Sequence, residues 1–446
     1  MRLFFAILLL VSTPASAGIL DIQTVKSAKG ISAWLVEDHS VPVISVRFTF
    51  VGAGAVNDPD AKQGLSQILS NTLDEGAGDM DSKAFQGALN DHSISLGFSS
   101  SRDDFGGSVK TLSKHQDKAF DLLALALTQP RFDKEAVARM IESNLTRIRS
   151  NMTDPEWMNA RLTNSVIFDG HPYAMNTGGT LSSLPRVTPD DLRAKFKTQL
   201  GQDNLMVSVA GDITKDQLAI MLDKVFGQIP EKSKVIQVAD IKISDVPSET
   251  LYRQDIPQTV INMTLAGIGQ DDPDYHVAEI LDFVLGSSGF GSRLTEEIRE
   301  KRGLTYGIYS NLSNMDHANV LSIGVSTKNE SVGQVIDLTK EVMSGLAMAP
   351  ISSQELKDAK TYLVGSVPLQ LTSTDRISGA MMSLQRLHLP ADYFDNRQVA
   401  LGRVTAEDVL RVGRRLLQPQ SLKIVLVGNP KIGDTVQTVS VLPNVE

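Results

Sequence analysis

The sequence predicts an α+β protein built from two halves that share one fold. Three observations predict it. The stretch VPVISVRFTFVGAGAVNDPD, which opens at Val41-Pro42, is echoed by IPQTVINMTLAGIGQDDPD, which opens at Ile256-Pro257. Asp58-Pro59-Asp60 and Asp272-Pro273-Asp274 therefore stand 214 residues apart (272 − 58). A second pair, Arg186-Val187-Thr188 and Arg403-Val404-Thr405, stands 217 apart (403 − 186). Near-equal spacings at both ends of a long unit mark a duplication. Third, strands come first and last in each half with helices between, the order of a sheet packed on one side by helices.

The elements follow in chain order. Arg2, the apolar run 3–11 and Ala15-Ser16-Ala17 form a secretory signal peptide over 1–17, cut before Gly18. The run is too short to span a membrane as a mature helix; a retained N-terminal anchor is the other reading. The mature chain is expected in a bacterial periplasm, with no stable membrane insertion. The first half, 18–230, begins with a strand at 43–51 that turns through Gly/Asp/Pro into a helix at 63–73. Residues 113–128 and 134–151 repeat apolar positions at helical spacing (Phe120, Leu123, Leu127; Ala136, Met140). Thr188 starts a helix with an acidic first turn, and 205–210 closes the half as a strand. Residues 231–250 are polar and poorly periodic and read as a linker. The second half, 251–446, repeats the plan: strand 259–266, helix 275–285, a helix from Thr405, strand 422–427.

Composition removes several functions. There are no cysteines, so no disulfide, thiolate metal site or Cys nucleophile exists. A net charge of −9 argues against a nucleic-acid binder. A chain of 446 residues exceeds one typical core and requires more than one domain.

The chemistry centres on 286–310, GSSGFGSRLTEEIREKRGLTYGIYS. Ser292 is placed to cap a short helix, Glu296 and Glu297 suit its positive end, and Arg299, Lys301 and Arg302 crowd its last turn before Gly303. Leu304, Tyr306 and Ile308 then alternate as on a strand. Arg299 and Tyr306 are expected close together, a guanidinium and a phenol able to hold a carbonyl or a developing oxyanion. The plain alternative is a capped surface helix followed by a buried Tyr. Gly286, Gly289 and Gly291 precede the helix without a P-loop Lys-Ser/Thr, which excludes a nucleotide site. They form a flexible loop touching a chamber or a partner, or a simple connector.

GFGSRLTEEIREKRGLTYGIYS resembles the C-terminal-half signature of the M16 (insulinase, pitrilysin, mitochondrial processing peptidase) family. AWLVEDHSVPV and His171-Pro172-Tyr173 extend the resemblance to nearly the whole mature chain. It implies duplicated halves, each a mainly antiparallel sheet packed with helices, closing as a clamshell around a chamber. It also implies that Arg299 and Tyr306 contact substrate opposite a zinc site. Peptide-cleaving members carry His-x-x-Glu-His on the first helix after the Gly/Asp/Pro turn, two imidazoles one turn apart with a Glu as general base. Here Gln67 and Asn71 stand at the histidine positions and Ser70 at the Glu position. Carboxamides are poor zinc ligands and a serine is no base near neutral pH. The family's third ligand aligns with Arg147, a cation, with Glu142 out of register. His276 and Glu279, three apart on a helix, read as a surface pair, and His171 as a structural turn.

The resemblance thus implies a zinc-less, substrate-holding subunit of a heteromeric peptidase. No cofactor is expected in this chain; zinc is expected in a zinc-bearing M16 partner, as heterodimer or larger assembly, with a peptide as substrate. Two other readings stay open: a non-enzymatic binding or scaffold protein of this fold, and a self-sufficient peptidase with unrecognised ligands.

Overall fold

Two six-stranded sheets organise the chain. The structure is a computed structural model and describes residues 18–433 and 436–446; the expected leader lies outside the described residues. The first sheet is built from β1 (Gln23–Lys26), β2 (Ser32–Glu37), β3 (Val43–Phe50), β4 (Ser95–Ser100), β5 (Phe105–Leu112) and β6 (Leu205–Gly211), in the spatial order β1-β2-β6-β3-β5-β4. The second takes β7 (Ser248–Arg253), β8 (Gln258–Ala266), β9 (Ile308–Asn314), β10 (Asn319–Lys328), β11 (Lys423–Gly428) and β12 (Gln437–Val439), in the order β12-β7-β11-β8-β10-β9. Each sheet has a parallel pair at the same place, β2 with β6 and β7 with β11, and antiparallel pairs from there to the β4 and β9 edges. The halves part only at the outer strand, where β1 runs antiparallel to β2 and β12 parallel to β7.

Helices cover one face of each sheet. The first half carries α1 (Leu65–Ser70), α2 (Ser82–Asp91), α3 (Gln116–Thr128), α4 (Lys134–Asn151), α5 (Pro155–Ile167), α6 (Pro189–Gln199) and α7 (Lys215–Phe226). The second carries α8 (Tyr275–Asp282), α9 (Val332–Met348), α10 (Ser353–Gly365), α11 (Thr374–Arg386), α12 (Tyr393–Arg403) and α13 (Ala406–Leu416). Strand alternation sends Ile44, Val46, Phe48 and Phe50 into the first core beside Phe105 and Phe226. Each such side chain, fully buried, contributes about 1.5–3 kcal/mol. Ile261, Met263 and Leu265 of β8 do the same in the second core.

The duplication reaches the helix ends. Thr188 and Thr405 each close a capping box, with Asp191 and Asp408, at the start of α6 and α13. Each of these helices sends a cation to the Gly/Asp/Pro turn of its half. In the second half Arg415 meets Asp272 at 2.6 Å and Arg411 meets Asp274 at 2.7 Å, both arginines half-exposed. In the first half Lys195 lies 3.0 Å from Asp58 with side chains 2% and 1% exposed. Burial lowers the Lys195 pKa and the Asp58 charge opposes that shift. Asp58 also accepts from the Ser66 amide and hydroxyl, fixing the start of α1. That helix is a short one, six residues rather than the eleven expected: it opens only after Gly64, in left-handed backbone at φ +89°, and ends at Ser70.

The two halves exchange helices. α5, from the first half, packs on β8 and β11; α11, from the second, packs on β3 and β6. Asn159 Nδ2 donates to the carbonyls of Val260 and Val425 at 3.2 and 3.0 Å. In return Ser208 Oγ donates to the Ser378 carbonyl at 2.8 Å and Gln385 to that of Val207 at 3.0 Å. The 231–250 stretch has no regular structure up to Ser248, and its Val238, Ile241 and Ile243 pack between the halves beside Tyr173 and Val320. The β4–β5 and β9–β10 hairpin tips meet there too: Arg386 lies 2.6 Å from both Asp104 and Asp316. Burial pushes the Asp104 carboxyl up to about 6, against the downward pull of Arg386.

Two outcomes follow for stability. Lys195→Met strands a buried carboxylate and lowers unfolding free energy by about 3–5 kcal/mol in urea titration; adding Asp58→Asn recovers part of the loss. Asp104 takes up its proton near pH 6 folded and near pH 4 unfolded. Its contribution to stability therefore falls as pH rises through that window. Asp104→Asn flattens the stability–pH curve between pH 4 and 6, read by denaturant melts at each pH.

Candidate functional site

A cavity of about 760 Å³ opens between the halves. One wall is α5, through Glu156, Asn159, Thr163 and Asn164. The other is the second sheet, where Gln258, Val260 and Asn262 of β8 alternate with the core residues on the opposite face. Gly324 and Ser326 of β10 extend that wall, and Tyr306 and Tyr309 stand at the mouth of β9. The lining mixes carboxamides, hydroxyls and phenols with the aliphatic Val260, Ile261 and Val325, and Glu156 is its one formal charge among the described residues. The polar groups pair with peptide-like donors and acceptors.

Tyr306 is 90% exposed and lines this cavity. It is neither buried nor on a strand. β9 begins only at Ile308, because Thr305 Oγ1 turns inward to the Ser326 carbonyl at 2.8 Å and receives the Gly307 amide at 3.1 Å. That bend holds Tyr306 outward. Arg299 stands outside the cavity lining. Its guanidinium lies over the Phe290 ring, 4.5 Å from the centroid, and its Nε is 3.5 Å from Glu300. Among the described residues no hydrogen bond joins Arg299 to Tyr306.

The connecting segment is wound more widely than an α-helix. Phe283–Ser287 and Thr295–Glu300 are π-helical, with the Lys301 amide reaching the Glu296 carbonyl. Such turns are rare and concentrate at functional sites. Ser292 is the N-terminal anchor, its Oγ 3.3 Å from the Thr295 amide, and Gly303 closes the far end at φ +63°. The three glycines divide. Gly286 is buried in the first π turn, where a Cβ would stand 2.5 Å from the Ser310 nitrogen, so it serves close packing rather than a loop. Gly289 and Gly291 flank Phe290, whose ring is 76% exposed. Phe290 escaped the sequence reading; its signal was a lone aromatic between two glycines.

The degenerate positions on α1 satisfy one another. Gln67 Nε2 donates to Asn71 Oδ1 at 2.9 Å and to Ser70 Oγ at 3.3 Å, and Ser70 Oγ donates to the Gln67 carbonyl at 2.8 Å. Arg147 bonds Asn144 on α4 and comes within 3.7 Å of where a Cβ on Gly178 would stand. Gly178 adjoins Gly179, which abuts Gly64 at the start of α1. Arg147 therefore brings a positive charge to that end of the helix. Glu142 instead pairs with Arg149 at the surface. Among the described residues no group of three His, Asp or Glu side chains is placed to hold a metal ion.

His276 and Glu279 form a half-buried network, not a surface pair. Their side chains meet at 2.7 Å, and Arg397 of α12 reaches Glu279 at 2.7 Å from behind. Burial raises the Glu279 pKa, but the His276 hydrogen bond and the Arg397 charge overcome it and leave it lowered. His171 is structural: its Nδ1 accepts the Tyr173 amide at 3.1 Å.

Two family models match the chain, Insulinase (Peptidase family M16) over residues 35–180 and Peptidase M16 inactive domain over 186–363. The chain belongs to the M16 peptidase family. A Non-peptidase homolog YmxG of Helicobacter pylori is 26% identical over 97% of this chain and 99% of its own. The crystal structure of a peptidase M16 inactive domain from Pseudomonas fluorescens superposes with a TM-score of 0.85 at 25% identity, covering 94% of this chain and all of that one. The periplasmic protease PqqL of Escherichia coli shares the fold at TM-score 0.78 and 15% identity; 92% of this chain covers 45% of that one. The M16 fold, two sheet-and-helix halves closed on a cleft, is thus the one observed here.

The metal positions yield a direct test. The purified chain carries less than about 0.1 zinc per molecule by elemental analysis. Installing Gln67→His, Ser70→Glu and Asn71→His leaves zinc binding weak while Arg147 remains, and adding Arg147→Glu strengthens it at least ~10-fold.

Proposed function

We propose that this chain is the zinc-less, substrate-holding subunit of a periplasmic heteromeric M16 peptidase. It holds the peptide with Tyr306 and the cavity behind it, and the partner subunit carries the metal. The observation that carries this reading is a contrast inside one molecule. Gln67, Ser70 and Asn71 spend their polar groups on each other, whereas the Tyr306 phenol, 90% exposed and without a hydrogen-bond partner among the described residues, stands at the mouth of a cavity large enough for several peptide residues. A peptide carbonyl left without a donor costs about 1–3 kcal/mol, and Tyr306 offers an O–H at that place. The partner's zinc would supply Lewis-acid activation of water; the role of this chain is to bind and orient.

Arg299 joins the site by leaving Phe290. Both are on the surface, so the guanidinium can exchange the ring for a carbonyl at small cost, about 0.5–1 kcal/mol for an exposed pair of this kind. Residues 1–17 act as the export signal in this reading, and the boundaries 18–230, 231–250 and 251–446 divide the mature chain into two M16-like domains and a linker.

A non-enzymatic scaffold is the second reading, favoured by one observation: Arg299 is stacked on Phe290 rather than beside Tyr306. Reconstitution with a zinc-bearing M16 partner separates the two. In the peptidase reading Tyr306→Phe lowers kcat/KM at least ~10-fold. A rise in KM alone marks ground-state binding, and a fall in kcat of about 10² marks a donor to the oxyanion. Arg299→Lys also lowers activity, since an ammonium lacks the planar fork. Unchanged kinetics in both variants, with assembly intact, establishes the scaffold.

A further inference from the structure

We propose that removal of the leader creates an ion pair between the new α-ammonium of Gly18 and Asp395, and that this pair clasps the two halves together. The inference rests on cleavage before Gly18, and it concerns what that cut does to the folded protein.

The segment after Gly18 runs across the joint between the halves. Leu20 and Ile22 pack against Val36 and Ala210 of the first sheet and against Ile377 and Met381 of α11. β1 then begins at Gln23. Asp395 belongs to the opposite half, in the first turn of α12. The Ile19 amide donates to both oxygens of its carboxylate, at 3.3 Å each. Gly18 lies beside the same carboxylate: a Cβ there would be 2.9 Å from Asp395 Oδ2. Any larger residue at 18 would push the carboxylate away.

The α-nitrogen of Gly18 is one bond from the same Cα, so it lies at most about 6 Å from Oδ2. That is the range in which opposite charges favour one another. In the precursor this nitrogen is a neutral amide. Hydrolysis of the Ala17–Gly18 bond adds one water: the hydroxyl goes to the Ala17 carbonyl carbon and the hydrogen to the Gly18 nitrogen. At neutral pH the products ionise to a carboxylate on the released leader and an ammonium on Gly18.

The surroundings want that charge. A cavity of about 430 Å³ at this place is lined by Gly18, Asp21, Asp392 and Asp395. Among the described residues, no lysine, arginine or histidine forms an ion pair with any of the three carboxylates. The Ile19 amide already points one donor at Asp395, and the ammonium adds a charge-assisted one, the stronger kind. An N-terminus tied in this way orders a segment that would otherwise fray.

The test compares four proteins that lack the leader: one starting at Gly18 with a free amine, one extended by Met-Ala before Gly18, and each of these with Asp395→Asn. Hydrogen exchange of residues 19–26 and thermal melting are read on all of them. The free-amine protein is expected to exchange about 3–10-fold more slowly over this segment than the extended one, and to melt higher. With Asp395→Asn the difference between the two starts disappears. Equal exchange in both starts, or a difference that survives Asp395→Asn, overturns the clasp. Mass spectrometry of the exported protein checks the premise separately: a mature chain that begins at any residue but Gly18 overturns the processing step, whatever the melts show.

Discussion

Everything in this molecule depends on the exchange of α5 and α11. A twisted sheet with one face on its own helices leaves the other face bare, and here each bare face is covered by a helix from the opposite half. The arrangement is reciprocal, as the duplicated topology requires, and the side chains of Asn159 and Ser208 tie it by donating to backbone carbonyls of the opposite half. The cavity is what this covering leaves unfilled. α5 shields part of the second sheet and stops short of Tyr306, so the same helix that joins the halves also builds a wall of the candidate site.

The site lives beside unusual backbone. Two π-helical turns enclose Gly289-Phe290-Gly291, and the second ends where the chain bends to throw Tyr306 outward. Wider turns weaken the hydrogen-bond ladder, so this region is cheaper to rearrange than the capped helices around it. In the first half, by contrast, α1 is anchored and self-satisfied. Asp58 holds its start, Lys195 neutralises Asp58, and the side chains of Gln67, Ser70 and Asn71 close on themselves. In the first half the side chains at these positions close on one another, while in the second the Tyr306 phenol stays open to solvent.

Much of this was legible beforehand. The repeated Asp-Pro-Asp and Arg-Val-Thr blocks announced two halves, and five of the six strands in each sheet follow the same order and sense, the outer strand excepted. The helix at 134–151 was legible to the residue because its apolar stripe is long. What failed was local and has local causes. The run Leu304, Tyr306, Ile308 alternates like a strand, but Thr305 uses its hydroxyl to bend the chain, and a two-residue period cannot reveal a side chain turned inward. His276 and Glu279 looked superficial because Arg397, which backs them, is 118 residues away in sequence. Gly286 looked like loop because its need for close packing against Ser310 is tertiary. The exchange of helices was invisible for the same reason: nothing in the stripe of α5 says which sheet it will meet.

The helix exchange also sets a schedule for synthesis. The first sheet is complete once residue 211 has been made, yet its cover, α11, arrives only with residues 374–386. In between, β3 and β6 present an uncovered face on a nascent chain. The last residues extend the wait, since Leu442 and Val445 join the first core and the Leu181 amide bonds the Val445 carbonyl. Such a chain cannot finish its amino-terminal half early and then thread it anywhere; it stays pliable until nearly all of it exists. Under the proposed export, in which a chain passes a narrow translocation channel before folding, a first half that cannot close ahead of time would be an advantage built into the topology.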